Sequence, residues 1–75
     1  MFVKHKDKIL KYLRAGEEIA YAAGFVRDII NDEYTSIELV SYADEESEWT
    51  SEDIYNFEKH NIVFDSQLFE RIVKM

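Results

Sequence analysis

The chain is 75 residues long and contains no cysteine, so no disulfide can hold its fold together. A domain of this size buries only about 60% of the surface that its unfolded chain exposes, and it often needs a metal or an oligomeric contact in addition. Thiolate metal sites are excluded here. Apolar side chains, 47% of the residues, must therefore form the core. We expect one domain over residues 1–75, in the cytoplasm, where disulfides are rare.

Helical spacing of apolar residues marks both ends of the chain. An N-terminal helix is predicted over residues 1–15, and Gly16 follows it as a natural stop. A short C-terminal helix is predicted over residues 66–74, with Asp65 or Ser66 as its N-cap. The apolar positions are Phe2, Val3, Ile9, Leu10 and Leu13 in the first helix, and Leu68, Phe69, Ile72 and Val73 in the second.

A β-hairpin is predicted between residues 17 and 43. Its clearest strand is 34–43, which alternates and is rich in β-branched and aromatic residues. Residues 17–30 fit either a helix or a strand, but Gly24 inside the segment counts against a helix by about 1 kcal/mol. In a strand, the same glycine would allow a bend. The polar sequence NDE between the two apolar runs suits a tight turn.

The segment after the hairpin leaves a second ambiguity. Residues 44–48 are expected to form a solvated turn. Residues 49–59 alternate like a strand, but Thr50 with Asp53 also imitates the capping box that starts a helix. A short apolar run at residues 61–64 suits a buried strand.

Four segments follow one another in an order that resembles small bacterial or phage-type proteins with an SH3-like (Sm-like) barrel. They read GFVRDI from residue 24, LVSY from residue 39, IYNFE from residue 54 and IVFDSQLFERI from residue 62. The resemblance covers residues 24–72 and includes no position that carries chemistry.

The resemblance implies an α+β fold with an N-terminal helix, a small bent antiparallel sheet and a short C-terminal helix. It would assign both ambiguous segments to strands and make residues 17–64 a β-rich body. It implies no activity, because small barrels serve many binding roles. RNA binding by Sm-like proteins needs basic and aromatic contacts, so it is not carried over to this acidic chain.

The charges are unevenly distributed along the chain. Residues 1–14 hold five basic residues and one acid, whereas residues 15–75 hold four basic residues and fifteen acids, which gives a net charge of −7. Residues 28–58 contain eleven acids and no Lys or Arg. Such a field repels nucleic acid and anionic membranes and attracts basic groups. We therefore expect a basic protein partner, with no direct contact to nucleic acid or membrane.

Catalytic and metal-binding motifs are not recognisable in the sequence. His5 and His60 lack the spacing of zinc ligands. The acidic run from Asp44 lacks the glycine and glutamate that a calcium-binding EF-hand loop requires. The chain has neither a nucleophile elbow nor a phosphate-binding loop. We expect no enzymatic activity, no metal and no cofactor.

These features predict a non-catalytic acidic module that binds a protein partner through an acidic, aromatic-bearing surface. One alternative is an acidic nucleic-acid mimic, of a phage or mobile-element type, that inhibits a DNA- or RNA-binding protein. Another is a small ligand-binding barrel, and homo-oligomerisation through open sheet edges stays open. Trp49 is the first choice of contact residue, because Trp and Tyr dominate interface hot spots. The candidate partner-binding residues are Tyr34, Tyr42, Asp44, Glu45, Glu46, Glu48, Trp49, Glu52, Asp53 and Tyr55.

Overall fold

The computed structural model describes residues 2–75, with residue 3 described by its backbone alone. Residue 1 of the predicted first helix, and the Val3 side chain on its apolar face, lie outside the described residues. The described chain has an α+β fold, as predicted. Its elements are a 3-10 helix Phe2–His5, α1 Lys6–Arg14, β1 Glu17–Asp28, β2 Glu33–Ala43, β3 Glu48–Thr50, α2 Ser51–His60 and α3 Ser66–Val73.

The three strands form one antiparallel sheet in the order β1-β2-β3. β1 and β2 form the predicted hairpin, so the ambiguity over residues 17–30 is resolved as a strand. The register between them shifts at three points, one of which lies between Tyr21 and Phe25. Gly24 lies inside this irregularity with a φ of +130°, a conformation that residues with a side chain rarely adopt. The glycine therefore allows the irregular path of β1.

The sheet is open, so the barrel implied by the resemblance does not form. Within the described residues β1 pairs only with β2, and β3 has just three residues. Residues 51–60, which the resemblance assigned to a strand, form α2. The reason is local: Thr50 Oγ1 accepts the Asp53 N–H at 3.2 Å, and the Asp53 carboxylate accepts the Thr50 N–H at 2.9 Å. This complete capping box starts a helix.

The strand predicted at residues 61–64 is also wrong, because this part of the described chain is an irregular connection. Asn61 takes the left-handed conformation, with φ of 56°, and ends α2. Asp65 then caps α3, as predicted, by accepting the Leu68 N–H at 3.1 Å. Phe64 packs edge-on against Phe69, with ring centroids 5.1 Å apart, so its packing does not require a strand.

The hydrophobic core lies between the three helices and β3. The rings of Phe57 and Phe69 meet edge to face with centroids 4.7 Å apart, and both side chains are fully buried. Tyr42 is the one hairpin residue among the described side chains that packs at the margin of this cluster. The core is therefore complete without most of the hairpin. Its buried members are Ile9, Leu10, Leu13, Trp49, Ile54, Phe57, Leu68, Phe69 and Ile72.

Candidate partner-binding surface

Exposed apolar side chains are concentrated in the β1–β2 hairpin. Tyr34 is 76% exposed, Tyr21 69% and Ile30 61%. Among the described residues, seven of the nine large exposed apolar side chains belong to the hairpin, and the other two are Val63 and Met75. Singly scattered residues of this kind are ordinary, and their concentration in one element makes the hairpin the candidate site. We call the seven the hairpin surface: Ile19, Tyr21, Phe25, Ile29, Ile30, Tyr34 and Ile37.

The hairpin surface is exposed because the helices cover only part of the hairpin. All nine residues from Glu17 to Phe25 are exposed, and along β1 burial occurs only at Val26 and Asp28. On β2, Val40 is the one buried residue. The described chain has no further helix or strand that could cover the remainder.

Acidic side chains lie around Tyr21. The Tyr21 hydroxyl donates a hydrogen bond to the Glu18 carboxylate at 2.5 Å, and this bond raises the pKa of Tyr21. The charge of Glu38, which lies opposite Phe25 in the ladder, raises it further. Residues 17–43 contain six acids and one base, Arg27, so the hairpin has a net charge of −5. The aromatic groups of the hairpin surface therefore lie in a negatively charged part of the chain.

A buried carboxylate, Asp28, fixes the end of β1. It accepts hydrogen bonds from the backbone N–H groups of Asn31 at 2.9 Å and Ile30 at 3.1 Å, and from the Tyr55 hydroxyl at 3.1 Å. Nε2 of His60 lies 2.8 Å from Oδ1 of Asp28 and must carry the proton if the carboxylate is ionised. The bond from the Asn31 backbone, followed by that from His60, holds the pKa of Asp28 well below its usual range. Polar contacts therefore fasten the hairpin turn to α2.

Two further side chains of α2 bind the backbone of β1 on the side that faces away from β2. The Glu52 carboxylate accepts the Arg27 N–H at 2.8 Å. Asn56, which is 3% exposed, donates to the Arg27 carbonyl at 2.9 Å and accepts the Ile29 N–H at 3.0 Å. This side of β1 is therefore occupied at residues 27–29. Among the described residues, no side chain or second strand binds the backbone of residues 17–25 in the same way.

Of the four aromatic residues predicted to contact a partner, Tyr34 alone belongs to the hairpin surface. Trp49 is 2% exposed, and its indole N–H donates to the Leu13 carbonyl at 2.9 Å. The prediction that Trp49 is the first contact residue is therefore corrected: its side chain lies in the core. Tyr42 is half-buried at the core margin, and Tyr55 is half-buried with its hydroxyl on the Asp28 carboxylate.

The acidic turn that was expected to be solvated is held by side chains from α1 and α3. Asp44 accepts hydrogen bonds from the Tyr12 hydroxyl at 2.5 Å, the Arg71 guanidinium at 3.0 Å, and the backbone N–H groups of Glu46 and Ser47. Burial raises the pKa of Asp44, but the bonds from Tyr12, the Glu46 backbone and Arg71 outweigh it and hold the pKa well below its usual range. Asp44 is therefore a structural residue that joins this turn to two helices.

The other predicted acidic contact residues are dispersed. Glu45 and Glu48 are exposed, and Glu46 is exposed with its carboxylate 3.3 Å from the guanidinium in α3. Glu52 and Asp53 lie in the first turn of α2, where they bind the β1 backbone and close the capping box. None of these acids belongs to the hairpin surface.

Sequence reasoning did not select Tyr21 or Phe25, although their alternation with Ile19 and Ala23 is visible in the sequence. An apolar strand in a small protein is ordinarily expected to be covered. The signal that could have identified them is the mismatch between a long apolar hairpin and a chain with too few elements to bury both of its faces.

The described grooves larger than 300 Å³, of about 470, 430 and 330 Å³, lie beside α1, at the turn of residues 43–48 and beside α3, and none is lined by a residue of the hairpin surface. The groove between the hairpin and α2, lined by Ile37, Tyr42, Ile54 and Tyr55, has a volume of about 190 Å³, below the roughly 300 Å³ of small ligand sites. The described residues hold no group of three or more His, Cys, Asp or Glu side chains able to bind a metal ion. In the same part of the chain, no helix has the length and hydropathy of a membrane span.

The fold and this surface define a small α+β protein with an open three-stranded sheet and an exposed hairpin. Comparisons with protein-family models, curated proteins and solved structures found no match to the chain.

Proposed function

We propose that this protein is a non-catalytic interaction module that binds a protein partner through the hairpin surface. The observation that carries the proposal is the contrast between a core that is complete without this surface and seven large apolar side chains that remain exposed on it. Such side chains add little to folding and lower solubility, so their concentration is typical of a binding surface. The cytoplasmic location expected from the absence of cysteine belongs to the same proposal.

The partner that fits this surface has an apolar centre surrounded by basic residues. The hairpin has a net charge of −5, and Glu18 and Glu38 lie around Tyr21. Opposite charge on the partner would accelerate the encounter, while burial of aromatic rings would supply most of the affinity. We assign the largest contributions to Tyr21, Phe25 and Tyr34, because rigid aromatic side chains bury a large area.

The partner can be sought with tagged protein in a lysate of the native host, and the captured protein is then purified and titrated by calorimetry. Single substitutions Tyr21→Ser, Phe25→Ser and Tyr34→Ser are each expected to weaken binding about tenfold or more. Val63→Ser is the matched control, because it removes a 39% exposed apolar side chain outside the hairpin. Equal affinity for the wild-type protein and all three hairpin variants would refute the proposal.

A salt series separates this function from that of an acidic nucleic-acid mimic. In a mimic, exposed carboxylates carry the affinity, so binding falls steeply as ionic strength rises. Substituting the exposed Glu45 and Glu48 with Gln would then weaken binding more than Tyr21→Ser. Binding that survives high salt and is lost in Tyr21→Ser supports the hairpin surface.

A further inference from the structure

The groove between the hairpin and α2 has apolar walls that are already held in place. It has a volume of about 190 Å³, and its apolar walls are Ile37, Tyr42, Ile54 and Tyr55. Ile54 is 7% exposed and belongs to the core, and the Tyr55 hydroxyl is bound to the Asp28 carboxylate at 3.1 Å. Ile37, which is 45% exposed, is the wall that belongs to the hairpin surface. A side chain that enters this groove meets a preorganised site, so little ordering opposes its binding.

The groove is continuous with the aromatic part of the hairpin surface. Tyr21 pairs with Val40 in the ladder, and Tyr42 lies two residues further along β2. Directly paired residues lie on one face of a sheet, and so do residues two apart in one strand. The side chains of Tyr21 and Tyr42 therefore share a face. A partner that rests on Tyr21 lies beside the groove.

We infer that the groove receives one large apolar side chain of the protein partner, of the size of Leu or Phe, and that basic residues flank this anchor in the partner. The inference rests on the proposed function and identifies the part of the partner that is bound most closely. An apolar cavity of about 150 Å³ holds one benzene molecule. The groove therefore matches one side chain, and a filled pocket of this kind is where binding energy concentrates in an interface.

The charges around the groove favour basic residues beside the anchor. Glu18 and Glu38 lie around Tyr21, on the side of the groove that the hairpin forms. On the opposite side, the guanidinium of Arg14 lies 2.5 Å from the Glu58 carboxylate, and these side chains are 52% and 43% exposed. This ion pair is neutral as a whole. The acids of the hairpin thus determine the local charge, and Lys or Arg next to the anchor would complement it.

The sheet edges near the groove favour contact through side chains over the addition of a strand. The ladder of β1 shifts register at three points. On the β3 side of β2, the Ser51 hydroxyl accepts the Val40 N–H at 2.9 Å and donates to the Glu38 carbonyl at 2.8 Å. Strand addition requires a regular row of free backbone groups, which these stretches do not offer.

Three capped tripeptides, titrated into the ¹⁵N-labelled full chain and followed by NMR, test the anchor and its flanking charge. Lys-Phe-Lys is expected to cause saturable shifts of the amides of residues 37, 42, 54 and 55. Lys-Ala-Lys has the same charge without the anchor and should leave these amides unshifted. Glu-Phe-Glu keeps the anchor and reverses the charge, so it should bind several-fold more weakly at low salt.

Ile37→Ala removes the exposed wall of the groove. It is expected to weaken the binding of Lys-Phe-Lys and of the captured partner about tenfold each. Val63→Ala is the matched control, because it trims a 39% exposed branched side chain outside the hairpin and should change neither affinity. Circular dichroism establishes that both variants are folded, and the comparison of the three tripeptides requires no variant.

Each contrary result would overturn a stated part of the inference. Equal groove shifts with Lys-Phe-Lys and Lys-Ala-Lys, shifts confined to other residues, or a partner affinity unaffected by Ile37→Ala would exclude the anchor. Equal or tighter binding of Glu-Phe-Glu would exclude the basic flanks. Shifts of the groove amides with protein concentration alone would assign the groove to a second copy and overturn the inference. None of these results refutes the proposed function, which fails only if Tyr21→Ser, Phe25→Ser and Tyr34→Ser all bind the partner like the wild-type protein.

Discussion

Replacing Trp49 with alanine is expected to remove most of the stability of this protein. Trp49 is 2% exposed within the core, and truncating a buried aromatic side chain to alanine costs about 3–5 kcal/mol. Loss of the indole N–H also removes the shorter of the two hydrogen bonds that the Leu13 carbonyl accepts, at a cost of about 1 kcal/mol. A chain of 75 residues has a total stability of about 4–11 kcal/mol. A loss of about 4–6 kcal/mol is thus comparable with the whole.

Urea unfolding followed by far-UV circular dichroism measures this loss, because the variant has no tryptophan left to report by fluorescence. Trp49→Phe is the matched control, since it keeps a buried ring but removes the N–H donor. We expect this control to lose about 1–2 kcal/mol and to melt at a temperature lower by about 4–8 °C per kcal/mol. In the wild-type protein, Trp49 fluorescence should be blue-shifted and poorly quenched by iodide until the chain unfolds.

The reasoning would be refuted by a Trp49→Ala variant that keeps the wild-type urea midpoint and loses only partner binding. Such a result would mean that the indole ring contributes to an interface and not to the core. Equal midpoints for Trp49→Phe and the wild-type protein would more narrowly exclude a stabilising role for the bond to the Leu13 carbonyl.

Three further predictions concern the contacts that hold the helices and the hairpin together. Gly16→Ala should destabilise the protein by about 1–3 kcal/mol, because a Cβ there would lie 2.6 Å from Cζ2 of Trp49; an unchanged urea midpoint would contradict this. Thr50→Ala should cost about 1 kcal/mol through loss of the α2 cap, whereas Thr50→Ser should retain most of it in the same assay. Because the pKa of Asp28 is lowered in the folded state, its stabilising contribution is present at neutral pH and lost as the pH falls below about 5. Asp28→Asn should therefore flatten the acid side of a plot of urea midpoint against pH, and a parallel curve would exclude this origin.

The terminal helices and the hairpin could be predicted from the sequence because local signals determine them. Ile9, Leu10 and Leu13 recur at helical spacing, and all three are buried in α1. Gly24 counts against a helix over residues 17–30, and the structure places it inside β1 with a positive φ. In each case the decisive information comes from residues close together in the chain.

Residues 49–59 show how a resemblance can override a correct local signal. Thr50 and Asp53 carried the capping box in the sequence, and the same two residues start α2 in the structure. The barrel implied by the resemblance required strands there, but a reciprocal cap followed by Ile54 and Phe57 on one buried face favours a helix.

The candidate contact residues were less predictable because their environments depend on distant parts of the chain. Trp49 donates its N–H to a carbonyl 36 residues away, and Asp44 is bound by Tyr12 and Arg71 from two different helices. Tryptophan is common in both cores and interfaces. An acidic run in the sequence does not show whether a distant guanidinium will bind it in the fold. Residue type alone could not distinguish these environments.

The way in which the hairpin is attached explains how it can remain exposed without disturbing the fold. The apolar core is formed by the helices and β3, whereas the end of the hairpin is held to α2 by the polar groups of Asp28, Glu52 and Asn56. These hydrogen bonds fix the hairpin at residues 27–29 and involve none of residues 17–25. Residues 17–25 can therefore vary in sequence with little effect on core stability. It is this separation that allows the surface variants of β1 to report on association instead of on folding.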